Sequence, residues 1–130
     1  MSGALLDTSV VIASDEAAAM DLPPAAAISV VTIGELRAGV LLARSPEVAA
    51  TRQARLAAVE AAFDPIAVDG RVAYRYAEVL AAARRAGRAE KATDLLIIAT
   101  AIATGRTLHS LDDRQTSLAK LAGAAVRRLP

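Results

Sequence analysis

Cysteine is missing from all 130 residues, which excludes disulfides, thiolate catalysis and cysteine-based metal sites, and suits a reducing cytoplasm. Aromatic residues make up only 2% of a chain that is 55% hydrophobic, so the core must be aliphatic. The N-terminus lacks the basic and long apolar regions of a signal peptide. The longest apolar stretch, around 95–103, falls far short of the roughly 20 residues that span a bilayer. The expectation is a cytoplasmic protein with no membrane association. A strong positive balance is absent too: the net charge is +1, which excludes a polybasic protein gripping nucleic acid by bulk charge. Lysine is nearly absent, with Lys91 and Lys120 alone. The cations are otherwise arginines, suited to bidentate contacts with phosphate or carboxylate.

What is present is an alternation of short apolar runs with longer amphipathic ones, the pattern of an α/β fold in one domain, residues 1–130. Ala4–Leu6, Ala26–Val31, Ile66–Val68, Thr107–Leu111 and Ala125–Leu129 read as strands. A short helix is expected from Ser9, others over Thr32–Ala43 and from Ser45-Pro46 to Asp64-Pro65, and another capped by Asp69 and ended near Gly87. Thr93–Thr104 is apolar nearly all round and is expected to be buried. A last short helix lies near Leu118–Leu121. Pro23-Pro24 breaks the chain before the second strand.

Most acids have ordinary surroundings. Glu47, Glu60, Glu78 and Glu90 sit among polar neighbours and read as solvated; Asp64 is in a turn, Asp69 caps a helix, and Asp15, Glu16 and Asp21 belong to a polar connection. Four others are out of place. Asp7 ends the apolar strand of LLDTSVVI. Glu35 is the only acid in ISVVTIGELRAGVLL. Asp94 opens DLLIIATAIA, and Asp112 follows RTLHSL. Asp94 with Thr93 beside it, and Asp112 with Asp113, also fit helix caps or turns. Neither explanation reaches Glu35. Three of the four are read at strand-to-helix junctions, which share one edge of a parallel sheet, so the four carboxylates are expected to converge.

Two carboxylates about 5 Å apart at an effective dielectric near 20 repel by roughly 3 kcal/mol. Several such pairs call for a proton or a cation. Oxygen-only ligands select magnesium or manganese, with Ser9 or Thr8 supporting a bound water. Asp7, Glu35, Asp94 and Asp112 are therefore both the candidate catalytic residues and the candidate metal ligands. His109, alone at a strand end, reads as structural.

Taken in order, LLDTSVVI, TIGELRAGV, ATDLLIIATA and Ser110-Leu111-Asp112 resemble the PIN-domain ribonucleases, and among them the VapC-like toxins of toxin–antitoxin pairs. The resemblance runs over essentially the whole chain. It implies a three-layer parallel sheet flanked by helices, a homodimer, and a magnesium- or manganese-dependent endoribonuclease acting on RNA. It further implies metal binding at Asp7, Glu35 and Asp94, a fourth position at Asp112, help from Ser9, and a VapB-like antitoxin as partner. The family commonly carries Asp-Phe shortly after the fourth position, where this chain has Arg114-Gln115, so Asp113 rivals Asp112. Arg84, Arg85, Arg88 and Lys91 precede Asp94 and are candidates to meet the RNA backbone.

Two alternatives stand beside this reading. A phosphoaspartate phosphatase or receiver domain also ends its first strand on Asp. The phosphatase type wants a second Asp where Ser9 stands, and the receiver wants a late lysine after a strand. A catalytically inactive PIN-fold binding module would use the acids only to dock a basic partner.

Overall fold

Short strands are cut off here by helix starts. Ala4–Leu6 forms β1, and the chain turns at Asp7 into α1, Thr8–Ala13. The computed structural model describes residues 3–13, 23 and 25–130; the polar connection with Asp15, Glu16 and Asp21, and the second proline of Pro23-Pro24, lie outside them. Four helices follow: α2 Val30–Leu41, α3 Pro46–Ala62, α4 Gly70–Arg85 and α5 Ala92–Ala103. β2 is Thr107–Ser110, α6 is Asp113–Leu121 and β3 is Val126–Arg128.

The sheet order is β1-β2-β3, all parallel, with Leu6 opposite His109 and Ser110 opposite Arg128. The other two expected strands shrink to single bridges. Ala27 pairs with Leu5, and Ser29 with Ile66. The first is cut short because the Ser29 hydroxyl accepts the Val31 N–H and starts α2 at Val30, inside the expected strand. The second follows Pro65, which has no N–H for a ladder.

Alternation along β1 divides the core in two. Leu5 packs with Leu108, with Val72 and Val79 of α4, with Ile97 and Ile98 of α5 and with Leu118 of α6. Ala4 and Leu6 face Val10 and Val11 of α1, Leu36 of α2, and Leu56 and Val59 of α3. Helices therefore cover both faces, giving the expected three layers. As expected, α5 is buried nearly all round, and Gly105 leaves it at φ +64, where a side chain would be strained. Among the described residues no helix is long and apolar enough to cross a membrane.

Candidate active site

Asp7 stands where β1 stops, and its residue is only 5% exposed. Two hydroxyls hold it. Ser9 and Ser110 both donate to Oδ2, each at 2.8 Å. Each serine also accepts a backbone N–H, from Leu111 at 3.1 Å and from Asp112 at 3.0 Å. The carboxylate thus ties the end of β1 to the turn that leads from β2 into α6. Parallel pairing makes this possible, because Leu6 opposite His109 brings Asp7 level with Ser110.

Glu35 lies on α2, half-buried. Thr8 Oγ1 donates to its Oε1 at 2.7 Å and lies 2.9 Å from the Thr32 hydroxyl. Since Thr8 has one proton and gives it to Glu35, Thr32 donates to Thr8.

Asp94 is the third residue of α5. The N-cap is Lys91, with no side-chain cap bond, so the capping explanation for Asp94 does not hold. Nor is its junction the one read from the sequence: α5 follows α4 directly, with no strand between. Gln115, buried, donates from Nε2 to the Asp94 carbonyl at 3.0 Å and fixes this turn against α6. Burial pushes the Asp94 carboxyl above the usual carboxylate range; Lys91 pulls it back, and the charges of Glu35, Asp7 and Asp112 raise it further. The charges of the other three acids thus reach Asp94, although Glu35 itself lines a separate cavity with Arg52 and Arg55.

Asp112 is exposed and also caps α6, its Oδ1 accepting from the N–H groups of Arg114 at 2.8 Å and Gln115 at 3.4 Å. Its rival Asp113 points elsewhere and pairs with Arg128 at 2.8 Å. A cavity of about 410 Å³ has Asp94 and Asp112 in its wall, with Lys91 and Arg114 beside them.

Among the described residues, no three acids or histidines stand as a ready-made ligand cluster. The donor set nonetheless suits a hard dication: it is all oxygen, and the charges of Glu35, Asp7 and Asp112 act on Asp94 against the pull of Lys91.

Glu90 departs from expectation. It is not solvated; its side chain is 5% exposed, between Arg88 at 2.7 Å and Arg114 at 3.0 Å. Burial would raise its carboxyl, but hydrogen bonds from Arg114 and Arg88 outweigh that and hold it below its ordinary value. Arg88, a candidate for RNA, is instead engaged inside the protein by Glu90, Ser117 and the Arg114 carbonyl. Arg84, Arg85 and Lys91 are exposed. A lone Glu between two arginines 2 and 24 residues away in sequence carries no local signal of burial.

A model of the PIN domain matches residues 4–121. The chain is 45% identical over 100 residues to "Ribonuclease VapC8" of Mycobacterium tuberculosis, covering 75% of this chain and 88% of that protein. It is 36% identical over 124 residues to "Ribonuclease VapC5" of the same organism, covering 93% and 89%. The crystal structure of VapBC-5, a member of the VapBC family of toxin–antitoxin systems from M. tuberculosis, superposes with a TM-score of 0.80 at 36% identity, covering 98% of each chain.

Proposed function

The chain belongs to the PIN domain family, and from that premise we propose that it is a magnesium- or manganese-dependent endoribonuclease, the toxin of a toxin–antitoxin pair. One arrangement carries the reading: Ser9 and Ser110 tie Asp7 to the turn that holds Asp112, and Asp112 shares a cavity wall with Asp94, although the three acids come from separate parts of the chain. Nothing in packing requires that. Asp7 and Asp94 would hold the ion, with Glu35 and Asp112 completing the site and Ser9 supporting it through Asp7. When bound, the ion supplies Lewis-acid activation of water and of a phosphodiester oxygen.

The chain's own residues do the rest. Ser9 and Ser110 fix the Asp7 carboxylate so that no rotamer search is needed when substrate arrives. Glu35, aimed by Thr8, is the acceptor for the proton of the attacking water. Attack by water on phosphorus with departure of the 3′-oxygen, which takes up a proton, leaves a 5′-phosphate and a 3′-hydroxyl.

Restraint of such an activity calls for a partner, and the solved structure that superposes on this chain is of a member of the VapBC family of toxin–antitoxin systems. The partner is a VapB-like antitoxin with a basic side chain directed at the four acids, where a guanidinium would satisfy two carboxylates. Leu41 and Leu42 at the end of α2, 68% and 81% exposed, offer its apolar segment a contact. The family resemblance supports a homodimer.

Purified protein incubated with single-stranded RNA tests the activity directly. Cleavage should require added manganese or magnesium, stop with EDTA, and fall to background in Asp94→Asn. Cleavage that survives either treatment would sink the reading.

A further inference from the structure

We propose that Arg114, aimed by the buried Glu90, forms a phosphate subsite beside Asp94 and Asp112 and binds the RNA backbone next to the bond that is cut. The proposal rests on the ribonuclease reading above and adds to it a substrate contact by a residue outside the four acids.

The two arginines on Glu90 are not equivalent. Arg88 places Nε and Nη2 on Oε2, at 2.8 and 2.7 Å, and spends its other donors on Ser117 and the Arg114 carbonyl. Its side chain is 24% exposed. That arginine is the counterion that makes a buried carboxylate tolerable. Arg114 instead puts Nη2 alone on Oε1, at 3.0 Å, and its side chain is 74% exposed. The cluster of one carboxylate and two guanidiniums carries one surplus positive charge, and it resides on Arg114. The remaining N–H donors of that guanidinium form the fork that matches phosphate oxygens.

Position decides what the fork meets. Arg114, Glu90 and Lys91 line the same cavity as Asp94 and Asp112. The wall of this cavity mixes the carboxylates of Asp94 and Asp112 with the cations of Lys91 and Arg114. A nucleic-acid backbone, with one phosphate at the ion, would otherwise bring its neighbouring phosphate against bare carboxylates. Arg114 supplies the compensating charge there. Its backbone is fixed as well, since its N–H donates to Asp112 at 2.8 Å. Glu90 is thus a positioning residue, acting through Arg114.

The test is binding of a fluorescein-labelled single-stranded oligoribonucleotide, by anisotropy in magnesium, in an Asp7→Asn background that prevents cleavage. Arg114→Gln should weaken binding about tenfold and flatten the slope of log affinity against log salt by about 0.7, one phosphate contact on a single strand. Arg75→Gln, which removes the same charge outside the cavity, should leave the slope unchanged. Arg114→Lys should recover the slope. Glu90→Gln should also weaken binding, although it removes a negative charge, whereas bulk electrostatics demands tighter binding. Unchanged affinity and slope in Arg114→Gln, or tighter binding in Glu90→Gln, would overturn the subsite while leaving the nuclease intact. Failure of the parent protein to bind or to cleave RNA in magnesium or manganese would bring down both readings. Arg114 is exposed, so its variants test the subsite even where Glu90→Gln lowers the melting temperature.

Discussion

Thr8 has one proton to give, and Glu35 takes it. Thr8→Val therefore strips Glu35 of its donor and leaves the fully buried Thr32 hydroxyl without its acceptor. Unfolding by urea should show a loss of about 1–3 kcal/mol, and RNA cleavage should fall with it. Thr8→Val with Thr32→Val should restore most of the stability, since both partners are then apolar, but not the cleavage. His109 makes a second point at this scale. It is buried with Nδ1 unpartnered; burial, with Arg127 behind it, holds the imidazole below its ordinary 6.5. The unfolded chain then takes the proton first, so this contribution is whole above pH 6.5 and is lost as the pH falls below it. Melting temperature should drop between pH 6.5 and 5 more steeply in the parent than in His109→Phe. A parallel drop in both would show that other groups carry the acid sensitivity.

Helix α6 shows one residue serving an element and the site at once. The sequence offered Asp112 as a turn residue or as a fourth acid, and it is both an N-cap and one of the charges acting on Asp94. The two roles separate by substitution. Asp112→Ser keeps a capping oxygen and loses the charge; Asp112→Ala loses both. Thermal unfolding should place Ala below Ser by about 1 kcal/mol, while both fall equally in cleavage. Equal stability would deny the cap. The helix runs from Asp113, well before the apolar residues near Leu118 that announced it. Residues 113–117 show no apolar stripe, and the cap, not the pattern, sets the start. Where caps were strong and local, at Ser45 and Asp69, sequence and structure agree at the helix N-terminus.

For the molecule as a whole, an ion bound to the folded chain alone adds RT ln(1 + [L]/Kd), about 2.7 kcal/mol at a hundredfold excess over Kd. Millimolar manganese should raise the melting temperature, and the rise should shrink in Glu35→Gln and in Asp94→Asn. Equal shifts in parent and variants would put the ion elsewhere. Co-expression with a neighbouring small reading frame should suppress toxicity and yield one co-purifying complex. A protein harmless by itself, with no such partner, would end the toxin assignment.

The sequence by itself determined the class of fold and the four acids worth watching, while the helices on both sheet faces were implied by the family resemblance. Periodicity and isolated charges in apolar runs are local, and they survive folding. Asp7 and Glu35 were legible because a carboxylate amid aliphatic residues is costly and needs a reason. What only the tertiary structure decided was every relation across the chain. It reduced two expected strands to bridges and set α5 directly after α4. It separated Asp112 from Asp113 by direction, and it buried Glu90 between Arg88 and Arg114. Those outcomes depend on which groups meet after the layers close, and Coulomb and hydrogen-bond energies act over ångströms of space, blind to distance along the sequence.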